Sequence, residues 1–163
     1  MIAIRPATES DLPAILAIYN DAVLNSVTIW NDTPVDLENR RAWLRARNSQ
    51  SFPVLVAILE GQVAGYASYG DFRLFEGYRF TVEHSVYVAE GARRRGLATR
   101  LLQSLIEHAR ASGKHVMIGG IEAENAASLA LHEKLGFSQT ARIPEVGRKF
   151  DRWLDLIFVQ KIL

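Results

Sequence analysis

The densest chemistry in the chain lies at Arg93-Arg94-Arg95-Gly96-Leu97-Ala98, where three guanidinium groups and a glycine lead into a strongly amphipathic segment. The first N–H groups of a helix lack intrahelical acceptors, and the helix dipole adds partial positive charge at that end. A basic, glycine-bearing loop entering a helix therefore suits phosphate oxygens. A run of arginines is equally the mark of a solvated charged face, and these residues alone leave both readings open. Other chemistries are easier to exclude. The chain has neither G-x-x-x-x-G-K-[ST] nor a G-x-G-x-x-G after a strand, which removes the P-loop and the dinucleotide fingerprint. His84, His108, His115 and His132 are scattered and form no H-E-x-x-H pair, so no metal is expected. There is no G-x-S-x-G turn, and the absence of cysteine rules out an enzyme thiol as nucleophile.

The elements around this loop follow from periodicity. Ile2 to Arg5 reads as a short strand. Leu12, Ile15, Leu16, Tyr19 and Val23 then fall at helical spacing after the capping candidates Thr8 and Ser10. Asp36 can cap a second helix, "DLENRRAWLRARN", whose arginines read as a solvated face. "FPVLVAILEGQVAGYASYG" predicts an antiparallel hairpin turning at Glu60-Gly61-Gln62, with Gly65 marking a bulge. "FTVEHSVYVAE" is a further strand, feeding directly into the arginine loop. From Gly96, residues Leu97, Leu101, Leu102, Leu105, Ile106 and Ala109 form a wide apolar stripe that ends at Gly113. "KHVMIGGIEA" reads as a strand, "NAASLALHEKLGF" as a short helix stopped at Gly136, and "RWLDLIFVQKIL" as the last strand. These elements make an α/β (α+β) fold with an early meander and a later β-α-β-α-β portion.

The chain holds 163 residues with 19 Lys and Arg against 18 Asp and Glu, a formal charge of +1. One domain over residues 1–163 is expected, without the global field that a nucleic-acid or membrane partner would call for. "MIAIRPATESDL" is too short in apolar residues for a signal-peptide core, which points to a soluble, cytoplasmic protein.

Arg93 to Ala98 resembles the R/Q-x-x-G-x-G/A pyrophosphate loop of the GNAT superfamily of acetyl-CoA-dependent N-acetyltransferases, and "NAASLALHEKLGF" resembles that superfamily's late Asn-to-"LGF" helix. Over nearly the whole chain, "YNDAVLNSVTIWNDTPVD", "GYASYGDFR", "TVEHSVYV", "LHEKLGF" and "RWLDL" resemble the phosphinothricin and methionine sulfoximine N-acetyltransferase-like group. The resemblance implies a mixed, mostly antiparallel central sheet flanked by helices, acetyl-CoA as co-substrate, no metal, and a homodimer. It implies that backbone at Val86, Tyr87 and Val88 lies beside the acetyl-pantetheine arm and polarises the thioester carbonyl. The loop Arg93, Arg94, Arg95, Gly96, Leu97, Ala98 and Thr99 would receive the phosphates, and Asn125 would touch the cofactor from the next helix, a role compatible with capping that helix.

Acyl transfer needs a neutral amine, and an α-ammonium with a pKa near 8 must first lose a proton. Glu83 matches the base position of the narrower group; otherwise it is a strand-end carboxylate paired with Arg73 or Arg79. His132 stands where many superfamily members carry Tyr in an "LYEKLGF"-like stretch, and it could protonate the leaving thiolate or join a relay with Glu83. In the segment before Glu83, Arg73 can grip a carboxylate bidentately. Trp30, Leu74 and Phe75 would line the substrate pocket, with Trp30 and Phe75 over an apolar side chain; as core or surface groups these residues would have no such part. Phe72 replaces the group's usual Trp. The implied activity is direct acetyl transfer to the α-amine of a small amino acid or analogue such as methionine sulfoximine, methionine sulfone or phosphinothricin. Acetylation of a protein N-terminus or another amine, and a non-catalytic acyl-CoA-binding module, are the alternatives.

Overall fold

The computed structural model describes residues 1–163. Its seven strands are β1 (Ile2–Pro6), β2 (Val54–Leu59), β3 (Gln62–Asp71), β4 (Thr81–Val88), β5 (Val116–Glu122), β6 (Ser138–Lys149) and β7 (Arg152–Ile162). They form one sheet in the order β1-β2-β3-β4-β5-β7-β6. Every neighbouring pair is antiparallel except β4 and β5. Four helices flank the sheet: α1 (Leu12–Asn25), α2 (Leu37–Ser49), α3 (Leu97–Ala111) and α4 (Ala126–Lys134). The expected mixed, mostly antiparallel sheet between helices is what the chain forms. No helix is long and apolar enough to cross a membrane.

Strand alternation divides the core in two. Leu55, Ala57 and Leu59 of β2 face α3, where Leu97, Leu101, Leu102, Leu105, Ile106 and Ala109 are all buried against them together with Val82 and Met117. Val54 and Val56 face the other way, onto Leu12, Ile15 and Ile18 of α1 and Leu44 of α2. Each fully buried Leu or Ile contributes about 1.5–3 kcal/mol, so both helix layers are fixed firmly to the strands between them. Asp36 caps α2 as expected, its Oδ1 accepting from the Asn39 N–H at 2.8 Å. The hairpin turns at Glu60-Gly61, with φ of 52° and 81°. The bulge expected at Gly65 is one residue away, since Ala57 pairs with Gly65 and Ile58 with Val63, leaving Ala64 as the extra residue.

One strand departs from the sequence expectation. Residues 138–149, to which the sequence reading assigns no element, form the twelve-residue β6. "SQTARIPEVGRK" contains Pro144 and Gly147 and shows little alternation, because nearly all of β6 is exposed at the sheet edge. Pairing with β7 makes it a strand, through a ladder interrupted between Gln139 and Ala141 and again between Ile143 and Gly147. At its end Lys149 is buried, and its Nζ donates to the carbonyls of Val23 and Ile29, each at 2.6 Å. A cation thereby satisfies carbonyls at the C-terminal end of α1 and ties the loop after α1 to the far edge of the sheet.

Candidate active site

β4 and β5 pair in parallel only from Thr81↔Val116 to His84↔Gly119. Beyond that point β4 remains paired with β3 as far as Val88, and β5 with β7 as far as Glu122, so the two strands part. The Ala89 N–H donates to Ala64 on the β3 side at 2.9 Å. Successive N–H groups of a strand point in opposite directions, which turns those of Val86 and Val88 toward the side that β5 has left. A cavity of about 800 Å³ runs through this gap and is lined from both faces of the sheet.

On the α3 and α4 face the lining comprises Val86, Val88, Arg93, Arg94, Gly96, Leu97, Ala98, Thr99, Ile121, Asn125, Ser128 and His132. Gly96, with φ of 83°, is the N-cap of α3, and the first intrahelical bond runs from the Arg100 N–H to the Gly96 carbonyl at 3.2 Å. The N–H groups of Leu97, Ala98 and Thr99 thus remain without helical acceptors where the positive end of α3 meets the cavity. Arg94 also adopts a left-handed φ of 61°. The three arginines do not act together: Arg93 and Arg94 line the cavity, whereas Arg95 forms an exposed salt bridge with Glu60 at 2.8 Å. Asn125 caps α4, its Oδ1 accepting from the Ser128 N–H at 3.2 Å, while also lining the cavity.

On the α1 and α2 face lie Glu83, Ser85 and Tyr87, with Gly70 and Asp71 of β3, Arg47 of α2, and Asp21, Ser26 and Thr28 at the end of α1. Glu83 packs over Gly120 of β5, its Oε1 within contact distance, 3.4 Å, of the position a Cβ there would take. Glu83 joins none of the salt bridges, so the pairing with Arg73 or Arg79 is not formed. Burial raises its pKa, opposed by the more distant charge of Arg73. Tyr87 is pushed up to about 12, mainly by burial, and remains protonated.

His132 is brought not to Glu83 but to His84, on the opposite face of β4. Its Nδ1 lies 2.7 Å from the Ser128 carbonyl, which only accepts, so Nδ1 carries the proton. In a neutral ring Nε2 is then an acceptor, and it receives the Nε2–H of His84 at 3.1 Å. The rings are stacked, 12° from parallel, in a space that Gly119 provides, since a Cβ there would come within 2.8 Å of His84 Nε2. Burial lowers the pKa of both, that of His84 to about 3. This geometry leaves His132 no proton aimed into the gap, which departs from the donor role and from the relay with Glu83: adjacent residues of a strand face opposite sides, and the only ring nitrogen free to accept is taken by His84.

The substrate-side candidates are more dispersed. Arg73 is exposed, 5.2 Å over the Phe72 ring, and Leu74 and Phe75 are 91% and 75% exposed on the loop between β3 and β4. Trp30 lies on the backbone of Gly147 in β6, its Nε1 donating to the Val27 carbonyl at 2.8 Å. None of the four lines the cavity within one chain. Arg47 does, although its helix reads as a charged face. The available signal was the spacing Leu37, Arg40, Leu44, Arg47, which sets two arginines on the buried stripe of α2.

Residues 15–137 match the Acetyltransferase (GNAT) family, and the chain belongs to that family: it is an N-acetyltransferase that uses acetyl-CoA as co-substrate. It is 60% identical over 159 residues to an L-methionine sulfoximine/L-methionine sulfone acetyltransferase of Pseudomonas aeruginosa, covering 97% of this chain and 92% of that one. A solved ribosomal-protein-alanine N-acetyltransferase from Brucella melitensis superposes with a TM-score of 0.98 at 62% identity, covering 99% of both chains. A phosphinothricin acetyltransferase from Sinorhizobium meliloti, solved in complex with acetyl-CoA, gives a TM-score of 0.97 at 36% identity, covering 99% of this chain and 88% of that one.

Proposed function

We propose that this protein transfers the acetyl group of acetyl-CoA directly to the α-amine of a small amino acid or analogue, with methionine sulfoximine, methionine sulfone and phosphinothricin as the model substrates. The observation that carries this reading is the gap between β4 and β5, which joins the open N-terminal end of α3 on one face to a half-buried, unpaired Glu83 on the other. The CoA pyrophosphate rests on the N–H groups of Leu97, Ala98 and Thr99, with Arg93 and Arg94 beside it, and the pantetheine arm passes along Val86 and Val88. Their free N–H groups polarise the thioester carbonyl and stabilise the oxyanion of the tetrahedral intermediate.

Glu83 removes the ammonium proton, directly or through one water, and the neutral nitrogen attacks the carbonyl carbon. Collapse breaks the C–S bond. The nitrogen sheds its second proton as the amide forms, and that proton balances the departing thiolate. The neutral His84 and His132 pair forms a wall of the cavity, and no proton is routed through it. Arg73 lowers the pKa of Glu83 and attracts an anionic substrate to the mouth.

The protein acts as a homodimer in the cytoplasm in this reading. Support for the dimer comes from Leu74, Phe75 and the 49%-exposed Phe80, apolar groups on the segment leading into β4 that a second chain would cover. The Brucella relative's name favours one other acceptor, a protein N-terminus, which presents the same nucleophile. CoA release measured against amino acids, the three analogues and an alanine-terminated peptide separates the two. Turnover of the free analogues far above the peptide is expected; acetyl-CoA binding without turnover of any free amino acid would overturn the reading.

A further inference from the structure

A second arginine faces the substrate side of the cavity from α2, and the amino-acid reading above gives it a task. Arg47 lies against Gly70, so closely that a Cβ at position 70 would overlap its guanidinium. Gly70 is the register partner of Glu83. Cross-strand partners carry their side chains on one face, with Cα atoms about 5.5 Å apart in a hydrogen-bonded pair. The guanidinium therefore occupies the place where a side chain of residue 70 would stand, on the face of the sheet that carries Glu83, and both line the same cavity without forming a salt bridge.

Its charge is not neutralised by the protein. Arg47 enters none of the salt bridges, and its buried Nε has no hydrogen-bond partner. Burial lowers its pKa, Asp71 partly offsets this, and Arg40 adds repulsion. A half-buried guanidinium without a carboxylate partner is costly to the fold unless a ligand anion supplies the missing bonds. Asp71, the nearest acid by charge, is exposed at the end of β3. Arg73, in contrast, is exposed and outside the cavity lining.

We infer that Arg47, rather than Arg73, holds the substrate's α-carboxylate. In an α-amino acid a single carbon separates the amine from the carboxylate, and Glu83 and the guanidinium over Gly70, on cross-strand partners of one sheet face, are placed to take one end each. The planar fork of Arg47 takes both carboxylate oxygens, which fixes the amine toward Glu83 and the acetyl carbon at once. This inference rests on the free-amino-acid reading of the site, and it makes a free carboxylate next to the amine a requirement for good turnover.

The test compares L-methionine sulfone with its carboxamide as acceptors for the wild type, Arg47→Gln, Arg47→Lys, Gly70→Ala and Arg73→Ala, with acetyl-CoA affinity and thermal melting as controls on folding. The wild type should prefer the acid. Arg47→Gln should raise the KM for the acid about 10- to 100-fold, the loss of a charge-assisted pair. It should also bring the acid-to-amide ratio of kcat/KM toward one, with acetyl-CoA affinity within about twofold. Gly70→Ala, which keeps the charge but displaces it, should do the same, and Arg47→Lys should fall between. An unchanged acid-to-amide ratio in Gly70→Ala and the folded Arg47 variants, or a ratio that collapses only in Arg73→Ala, overturns the inference while leaving the amino-acid reading intact. A wild type that acetylates the peptide and no free amino acid overturns both.

Discussion

The Nε2–H of His84 is donated to Nε2 of His132 at 3.1 Å, and burial keeps both rings neutral. An unfolded histidine takes up a proton near pH 6.5, whereas His84 in the fold resists protonation down to about 3. Between those values the unfolded state binds the extra proton, so stability falls as the pH drops. The slope is about 1.4 kcal/mol per pH unit for His84 alone, and His132 steepens it. Above pH 6.5 the pair adds no dependence. Denaturant unfolding at pH 7, 6 and 5 should show this decline, and His84→Gln should flatten it. An equally steep decline in His84→Gln would remove the pair as its cause.

Replacing Glu83 by Gln should lower kcat by about 10²- to 10⁴-fold, the usual worth of a positioned base, with acetyl-CoA affinity nearly unchanged. Glu83 must be ionised to act and burial raises its pKa, so the wild-type rate should rise with pH through that raised value. The Glu83→Gln profile should lose this limb. Arg73→Ala removes the charge that opposes the shift and should move the limb to higher pH. A Glu83→Gln enzyme with wild-type turnover would dismiss Glu83 as the base.

At the start of α3, Gly96→Ala meets open space, since nothing lies within 4 Å of the added Cβ. Its cost is the left-handed φ of 83°, about 1–2 kcal/mol for a residue with a side chain. Relaxation of that strain displaces the N–H groups at the cavity, and acetyl-CoA affinity measured by calorimetry should weaken about 5- to 20-fold. Arg94→Ala should weaken it more than Arg95→Ala, because Arg95 is engaged with Glu60 outside the cavity. The opposite ranking would place the phosphates elsewhere.

Lys149→Met should leave the carbonyls of Val23 and Ile29 without their donor. Each buried acceptor left unpaired costs about 1–3 kcal/mol, so a loss of about 2–6 kcal/mol is expected by denaturant unfolding. The segment it secures carries Ser26 and Thr28 into the cavity. The KM for the amine acceptor should therefore rise, while that for acetyl-CoA changes little. A stable variant with both KM values unchanged would show that Lys149 does not hold this segment in place.

The parts of this molecule legible in its sequence are those determined locally. Helix α3 announces itself because six apolar residues fall on one stripe between two glycines, and the arginine loop is readable as its entry because it directly precedes that helix. β6 is not readable, since an exposed edge strand has no buried face to impose alternation and owes its conformation to β7. The histidine pair is hidden for a related reason: 48 residues separate its members, and only the packing of α4 on β4 joins them. Arg47 looks like solvent-facing charge until Gly70, on another element, is found beneath it. Glu83 stands between these cases, its candidacy legible and its freedom from Arg73 and Arg79 visible only in three dimensions.

The ladder between β4 and β5 stops at His84 and Gly119, while each strand stays bonded to its outer neighbour. The opening therefore lies within the sheet itself, a window each of whose sides is held by a ladder to the neighbouring strand. In the proposed reaction donor and acceptor approach from opposite faces of the sheet, and only the acyl group crosses between them. Selectivity for the length of that acyl group then resides in the width of the window, set by the backbone of the two strands. Engineering either binding pocket alone would leave it untouched.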